Sequence, residues 1–156
     1  MKRGYEMGKR GESWVAAQAI LFIAFITVPQ VAGPWPYDAV FLFTGWVLFV
    51  LGLVLTLWSA RALGRSLTPF PRPLEHAELV TTGPYRLVRH PIYLGVLLVA
   101  LGISLVTASP LRLGLTLILF VFFDRKAARE ERWLEEKFPQ YPAYRSRVKR
   151  LIPWVY

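Results

Sequence analysis

Residues 92–123 read IYLGVLLVALGISLVTASPLRLGLTLILFVFF, two apolar runs separated by Ser109 and Pro110. A serine and a proline between apolar segments are typical of a tight turn, because proline cannot continue the hydrogen bonding of the preceding helix. The sequence therefore predicts two closely packed antiparallel helices. A membrane span needs about 20 residues, so the second helix is long enough only if it continues into the charged residues 124–136.

Two further apolar runs precede this hairpin, at residues 14–31 and 39–63. Of the 156 residues, 54% are hydrophobic, and the sequence contains no cysteine. Without cysteine there is no disulfide, thiolate metal site or catalytic thiol, and we predict no metal. We predict a single all-α membrane domain over residues 1–156, with about four transmembrane helices at about 14–33, 38–63, 91–108 and 111–130.

The positive charges indicate the orientation of the spans. With four spans and both termini on one side, 18 of the 19 Lys and Arg residues fall on that side, and Arg112 is the exception. Cytoplasmic loops carry such an excess, so we predict cytoplasmic N- and C-termini. The net charge of +9 then reflects topology and attraction to membrane lipids, not nucleic-acid binding. The first apolar run is too long for a signal peptide, and we expect no cleaved leader.

Polar residues are concentrated in segments 69–93 and 124–153, and the apolar runs lack Asp, Glu, Lys and His. Transport or proton relay through the bilayer is therefore disfavoured. Pro91 suits the first position of a helix, whose free amides and dipole favour an anionic group. His90 and Tyr93, three residues apart, project from the same side. By spacing alone, an equally good interpretation is that the residues at this helix start only provide basic charge next to the membrane.

The second polar segment places Lys126 and Glu130 four residues apart, so they are neighbours on a helix face. Most such patterns are solvated surfaces held by weak ion pairs. Here Glu130 and Glu131 lie within two turns of the last apolar run. An acidic group at that position suits a ligand that carries positive charge.

Three blocks together carry a family resemblance: RHPIYLG at 89–95, EERWL at 130–134 and FPQYPAYRSRVKRLIP at 138–153. In this order they resemble the C-terminal half of isoprenylcysteine carboxyl methyltransferases and their bacterial and archaeal relatives. Phospholipid N-methyltransferases are similar more loosely. The resemblance covers about residues 78–153. It implies S-adenosylmethionine as cofactor and S-adenosylhomocysteine as product, in a cytoplasmic pocket formed by residues 76–153 at a prokaryotic plasma membrane.

The resemblance also implies roles for individual residues. Those implied to bind the cofactor are Leu79, Val80, Tyr85, His90, Pro91, Ile92, Tyr93, Gly95 and Glu130. The implied catalytic residues are His90, Lys126 and Glu130, and Lys126 would also bind the substrate, with Arg125 or Arg129 as substitutes. The prenylcysteine enzymes have arginine at the position of Lys126, and only arginine gives a two-pronged grip on a carboxylate.

Two other departures, Pro139 in place of a glycine and Phe70 in place of a glutamine, favour a relative over the prenylcysteine enzyme itself. The acceptor stays open between a carboxylate, such as that of prenylcysteine, and a lipid headgroup. Two alternatives remain. Membrane sterol reductases, which use NADPH, share an HPxYxG-like block, but this chain lacks their terminal Cys and Lys-Tyr-Gly. A non-enzymatic membrane bundle would have the same hydropathy.

Overall fold

The computed structural model describes residues 11–29 and 38–156. The predicted cytoplasmic charges of residues 1–10 and the last part of the first predicted span, residues 30–33, lie outside the described residues. All regular secondary structure in the described ranges is helical, which confirms the all-α class. The helices are α1 (Glu12–Thr27), α2 (Asp38–Leu63), α3 (Pro91–Val106), α4 (Pro110–Lys137) and α5 (Tyr141–Arg147), with short 3-10 turns at Gly64–Ser66 and Gly83–Arg86.

The predicted turn between α3 and α4 is confirmed. Ser109 caps α4, and its hydroxyl accepts a hydrogen bond of 3.3 Å from the backbone N–H of Arg112. Pro110 occupies the first helical position, where its missing N–H costs nothing. The hydroxyl oxygens of Ser104 and Thr116 lie 3.2 Å apart and link the two helices. Helix α4 then continues for 28 residues from its apolar half into the charged segment, as predicted.

Helices α2 and α3 touch backbone to backbone through glycines. An added Cβ at Gly52 would lie 2.5 Å from the carbonyl oxygen of Gly95, and one at Gly45 would lie 2.9 Å from that of Gly102. Any side chain at these positions would force the helices apart, so these four glycines allow the close approach of α2 and α3. At Gly114, in contrast, an added Cβ would meet nothing within 4 Å.

The bounds of α1, α3 and α4 differ from the predicted spans. Among the described residues, one helical stretch, Asp38–Ser66, is long and apolar enough to cross a membrane by itself. Helices α1 and α3 have 16 residues each, about 24 Å at 1.5 Å per residue, against about 30 Å for a bilayer core. Helix α2 leaves large apolar side chains open, for example Phe43 at 73% exposure. Such a surface is costly in water and costs little in lipid.

The chain after α5 returns to the start of α3 and fixes it. Val88 pairs with Lys149 in an isolated parallel bridge. The backbone N–H of Arg89 donates to the Lys149 carbonyl at 2.8 Å, and that of His90 donates to the Arg150 carbonyl at 3.1 Å. The residue that caps α3 is therefore held by a segment some sixty positions later in the sequence. This arrangement places the cap of α3 beside the charged half of α4.

Candidate active site

A cavity of about 360 Å³ lies between the start of α3 and the charged half of α4. Its volume is within the range of roughly 300–1,000 Å³ that ligand sites occupy. The loop that follows α2 and the inner face of α1 complete its walls. Eight of the residues predicted from the sequence line it: Leu79, Val80, Tyr85, His90, Ile92, Tyr93, Lys126 and Glu130. The two polar segments therefore share one hollow, as predicted.

One wall of the cavity is acidic. The Tyr93 hydroxyl donates to Oε2 of Glu130 at 2.7 Å, and Nδ1 of His90 lies 3.8 Å from the same oxygen. The His90 and Tyr93 rings are stacked, with centroids 5.3 Å apart. The Glu130 side chain keeps 26% exposure. Its carboxylate is thus oriented by two neighbours and still accessible to a cationic ligand.

The adjacent Glu131 is buried and fully engaged. Its Oε1 accepts hydrogen bonds from Nε of Arg89 at 2.9 Å and from Nε2 of His90 at 3.1 Å, and Nη2 of Arg150 donates to Oε2 at 3.1 Å. Because a carboxylate only accepts, Nε2 of His90 carries the proton in this bond. Burial raises the pKa of Glu131, but the bonds with His90, Arg150 and Arg89 outweigh it and hold the pKa well below the usual carboxyl range. Glu131 is therefore a poor proton acceptor.

A buried cation lies one helical turn before Glu130 on α4. The Lys126 residue is 1% exposed, and its Nζ donates to Oε1 of Gln18 at 2.6 Å and to the carbonyl oxygen of Pro69 at 3.0 Å. The ammonium also lies 5.5 Å from the centre of the Tyr93 ring. Tyr93 therefore contacts both charged groups, Glu130 through its hydroxyl and Lys126 through its ring.

Tyrosines beside the cavity provide neutral hydrogen-bonding groups. Burial raises the pKa of the hydroxyls of Tyr85, Tyr141 and Tyr144, so they stay protonated at neutral pH. The Tyr144 hydroxyl donates to the Tyr85 carbonyl at 2.6 Å. The Tyr141 hydroxyl is buried and has no hydrogen-bond partner within the described residues, although Tyr141 lines the cavity. An unpaired buried hydroxyl is costly, and a polar ligand in the cavity would satisfy it.

Four residues that the resemblance placed at the site lie outside the cavity lining: Pro91, Gly95, Arg125 and Arg129. The proline is the buried first residue of α3, and Gly95 faces α2, as described above. Arg125 and Arg129 are exposed, and the Arg129 guanidinium stacks over Trp133 at 4.5 Å. Of the three candidate substrate-binding cations, Lys126 is the one that reaches the cavity.

The sequence analysis missed several lining residues: Gln18, Glu78, Arg89, Tyr141 and Tyr144. The two tyrosines belong to the block at 138–153 that carries the resemblance, so the sequence could have identified them as site residues. Gln18 had a weaker signal, as an amide side chain within an otherwise apolar run. In the part of the chain that the structure describes, no group of three His, Asp or Glu side chains is arranged to hold a metal ion.

Comparison with known proteins identifies the family of the chain. The family model described as phospholipid methyltransferase matches residues 40–141, more than half of the chain. Protein-S-isoprenylcysteine O-methyltransferase B of Arabidopsis thaliana is 32% identical over 71% of this chain and 58% of its own. Methanethiol S-methyltransferase 1 of Bradyrhizobium diazoefficiens is 29% identical over 90% of this chain and 45% of its own.

A nickel-cobalt-cadmium resistance protein of Alcaligenes xylosoxydans is also similar, at 28% identity over 90% of this chain and 62% of its own. The chain spans about six-tenths of the length of the plant isoprenylcysteine relatives. The region matched by the family model contains α2 except for its first two residues, all of α3 and α4, and the first residue of α5. It leaves out α1, which contributes Gln18 to the cavity lining.

Proposed function

Because the chain belongs to the phospholipid methyltransferase family, we propose that it transfers a methyl group from S-adenosylmethionine to a lipophilic or amphiphilic acceptor. The observation that carries the proposal is one cavity lined by the Glu130 carboxylate, the Lys126 ammonium and Tyr93, which contacts both. The names of two relatives, an O-methyltransferase and an S-methyltransferase, support methyl transfer.

The acidic wall and the start of α3 fit the cofactor. When bound, S-adenosylmethionine supplies an electrophilic methyl group on a positively charged sulfur. The partly exposed Glu130 would bind the cationic part, and the first-turn amides of Ile92 and Tyr93, which lack intrahelical partners, would bind its carboxylate. Leu79 and Val80 provide apolar contacts for the adenosyl group. The unpaired Tyr141 hydroxyl fits a ligand with several polar atoms.

The part of the cavity near Lys126 fits the acceptor. The same cavity is lined by the apolar side chains of Leu63, Val96 and Phe123, which belong to three different helices. The apolar chain of the acceptor would lie along these side chains, and its polar head group would contact the Lys126 ammonium. A carboxylate acceptor is ionised at neutral pH and needs no base, whereas an amine acceptor would have to lose a proton. With Glu131 engaged, His90 is the group placed to help in that case.

We place this cavity at the cytoplasmic face of a membrane crossed about four times, with both termini inside. The distribution of Lys and Arg and the open apolar surface of α2 support this topology. Because the chain has no cysteine, single cysteines report on it cleanly. A cysteine at Arg147 should react with a membrane-impermeant maleimide in inside-out vesicles and not in intact cells. Labelling of intact cells would reverse the orientation.

The decisive experiment is titration calorimetry of the purified protein with S-adenosylhomocysteine and with NADPH. We expect S-adenosylhomocysteine alone to bind. The Glu130→Ala variant should lose at least about tenfold in affinity, because a hydrogen bond to a charged group disappears. Glu136→Ala, an exposed change on the same helix, should bind as the wild type does. NADPH binding would favour the reductase alternative, and an unchanged Glu130→Ala affinity would remove the role given to this carboxylate.

A further inference from the structure

The Lys126 ammonium is held where three separate elements meet. Gln18 comes from α1, Pro69 from the loop after α2, and Lys126 from α4. Gln18 lies outside the residues that the family model matches, yet it lines the same cavity as the matched residues. The acceptor side of the cavity is thus completed by a helix that the family match does not include.

The chemistry of this contact fixes how the Gln18 amide is turned. An ammonium has donors only, so the Gln18 atom at 2.6 Å from Nζ must be the carbonyl oxygen. The amide nitrogen and its two N–H donors then point elsewhere. Within the described ranges they make no hydrogen bond. Gln18 is half-buried at the cavity wall, so these donors are available to a bound molecule.

Lys126 also has one N–H donor without a hydrogen-bond partner among the described residues. Of its three N–H groups, two are used by the oxygens of Gln18 and Pro69. Both oxygens are neutral, and the Glu130 carboxylate, which lies one turn along α4 and accepts the Tyr93 hydrogen bond, makes no direct ion pair with Lys126 among the described residues. A buried charge is normally compensated by an opposite charge. A glutamate at position 18 would place a carboxylate in direct contact with the ammonium, whereas the glutamine keeps this contact neutral and leaves the remaining donor to a ligand.

We propose that Gln18 is a specificity-determining residue that acts with Lys126 to select acceptors with an anionic head group, such as a carboxylate or thiolate, on an apolar chain. The inference rests on the proposed function and narrows its acceptor class. The Gln18 oxygen orients the ammonium, and its N–H groups together with the free Lys126 donor bind the anion. A cationic or neutral head group would leave these donors unsatisfied.

The test compares two probes that differ only in the head group, octanoate and octan-1-ol. Their binding to the protein saturated with S-adenosylhomocysteine is measured at pH 7.5, where the carboxylate is ionised. Affinities are referred to the free probe concentration outside the micelles, measured by equilibrium dialysis against protein-free detergent, so that the two probes can be compared within one variant. The wild type should bind octanoate at least about tenfold more tightly than octan-1-ol. Gln18→Glu should lose about tenfold or more for octanoate, the usual effect of removing a hydrogen bond to a charged group, and keep its affinity for octan-1-ol.

A matched control makes the same chemical change elsewhere. Gln140→Glu alters an exposed residue that does not line this cavity, and it should leave both affinities unchanged. If Gln18→Glu does not fold, Gln18→Asn is the replacement. It stays neutral but is one methylene shorter, so octanoate should bind several-fold more weakly while S-adenosylhomocysteine binds normally.

Equal affinity of the wild type for octanoate and octan-1-ol would overturn the inference. So would an octanoate affinity that is unchanged in the folded Gln18 variants. The proposed function and the role given to Gln18 can be refuted separately. If S-adenosylhomocysteine does not bind the wild type, the proposed function is lost. If S-adenosylhomocysteine binds and its affinity depends on Glu130, but the preference for octanoate over octan-1-ol is the same in the Gln18 variants, only the present inference is lost.

Discussion

Replacing Glu131 by alanine tests whether the buried ion cluster holds the site together. The Glu131 side chain is 3% exposed and accepts hydrogen bonds from Arg89, His90 and Arg150. These partners lie at the start of α3 and in the segment after α5. The carboxylate therefore links α4 to both segments. Its loss leaves two guanidinium groups close together without the anion between them.

The structure sets the size of the effect. Removing one partner of a buried ion pair costs about 3–5 kcal/mol. Arg150 retains Asp124 at 2.9 Å, and Arg89 retains the carbonyl oxygens of Arg145 and Val148. We therefore expect the low end, about 3 kcal/mol. For a domain of this size each kcal/mol shifts the unfolding temperature by about 2–4 °C, so the expected fall is roughly 6–12 °C.

The assay is thermal unfolding of the detergent-solubilised protein, followed by circular dichroism. Glu135→Ala is the matched control, because Glu135 lies one turn along α4 and also pairs with an arginine, Arg145. Those two side chains are 33% and 45% exposed, and surface pairs contribute about 0–1 kcal/mol. Trypsin should also cleave the Glu131→Ala variant faster at Lys149. Equal temperature shifts in the two variants, with no change in cleavage, would refute the reasoning.

Two further substitutions test the packing of the helices and the fit of the cofactor. Gly52→Ala should lower the stability by about 1–3 kcal/mol, because its Cβ would lie 2.5 Å from a carbonyl oxygen of α3. Gly114→Ala, which meets nothing within 4 Å, should raise it by up to about 1 kcal/mol in the same unfolding assay. Tyr141→Phe should leave the unfolding temperature unchanged or slightly higher and weaken S-adenosylhomocysteine binding in calorimetry, since the unpaired hydroxyl serves a ligand. Unchanged binding would contradict that role.

The parts of the fold that follow from local chemistry were predictable. Ser109 and Pro110 identified the hairpin, because a hydroxyl cap and a proline act within a few residues of their own position. The bounds of α2 agree with the predicted span at 38–63. The first span was predicted to continue to residue 33, but α1 ends at Thr27, since apolar character alone does not show where a helix stops.

The site residues that belong to a sequence motif were predictable. Those that reach the cavity only through the packing of separate helices were not. The resemblance brought His90, Tyr93 and Glu130 together correctly at one cavity. It left three cationic residues as candidates for binding the acceptor. Neighbouring residues on a helix point about 100° apart, and the motif does not show which of these side chains points into the cavity. Which of them faces inward depends on where α1 and the loop after α2 pack. Gln18 was missed for the same reason, since its contact with Lys126 joins residues 108 positions apart.

The two consecutive glutamates of α4 show how burial separates structural from chemical roles. Glu131 is 3% exposed and bonded to three basic side chains, whereas Glu130 is 26% exposed and retains a carboxylate oxygen that can meet a ligand. His90 joins them, with Nε2 bonded to Glu131 and Nδ1 facing Glu130. Removing Glu131 therefore frees the His90 imidazole from its hydrogen bond and disturbs the cavity indirectly, through a residue that lines it. Removing Glu130 leaves the cluster of Glu131 intact, so a lost affinity there reports on ligand contact and not on folding.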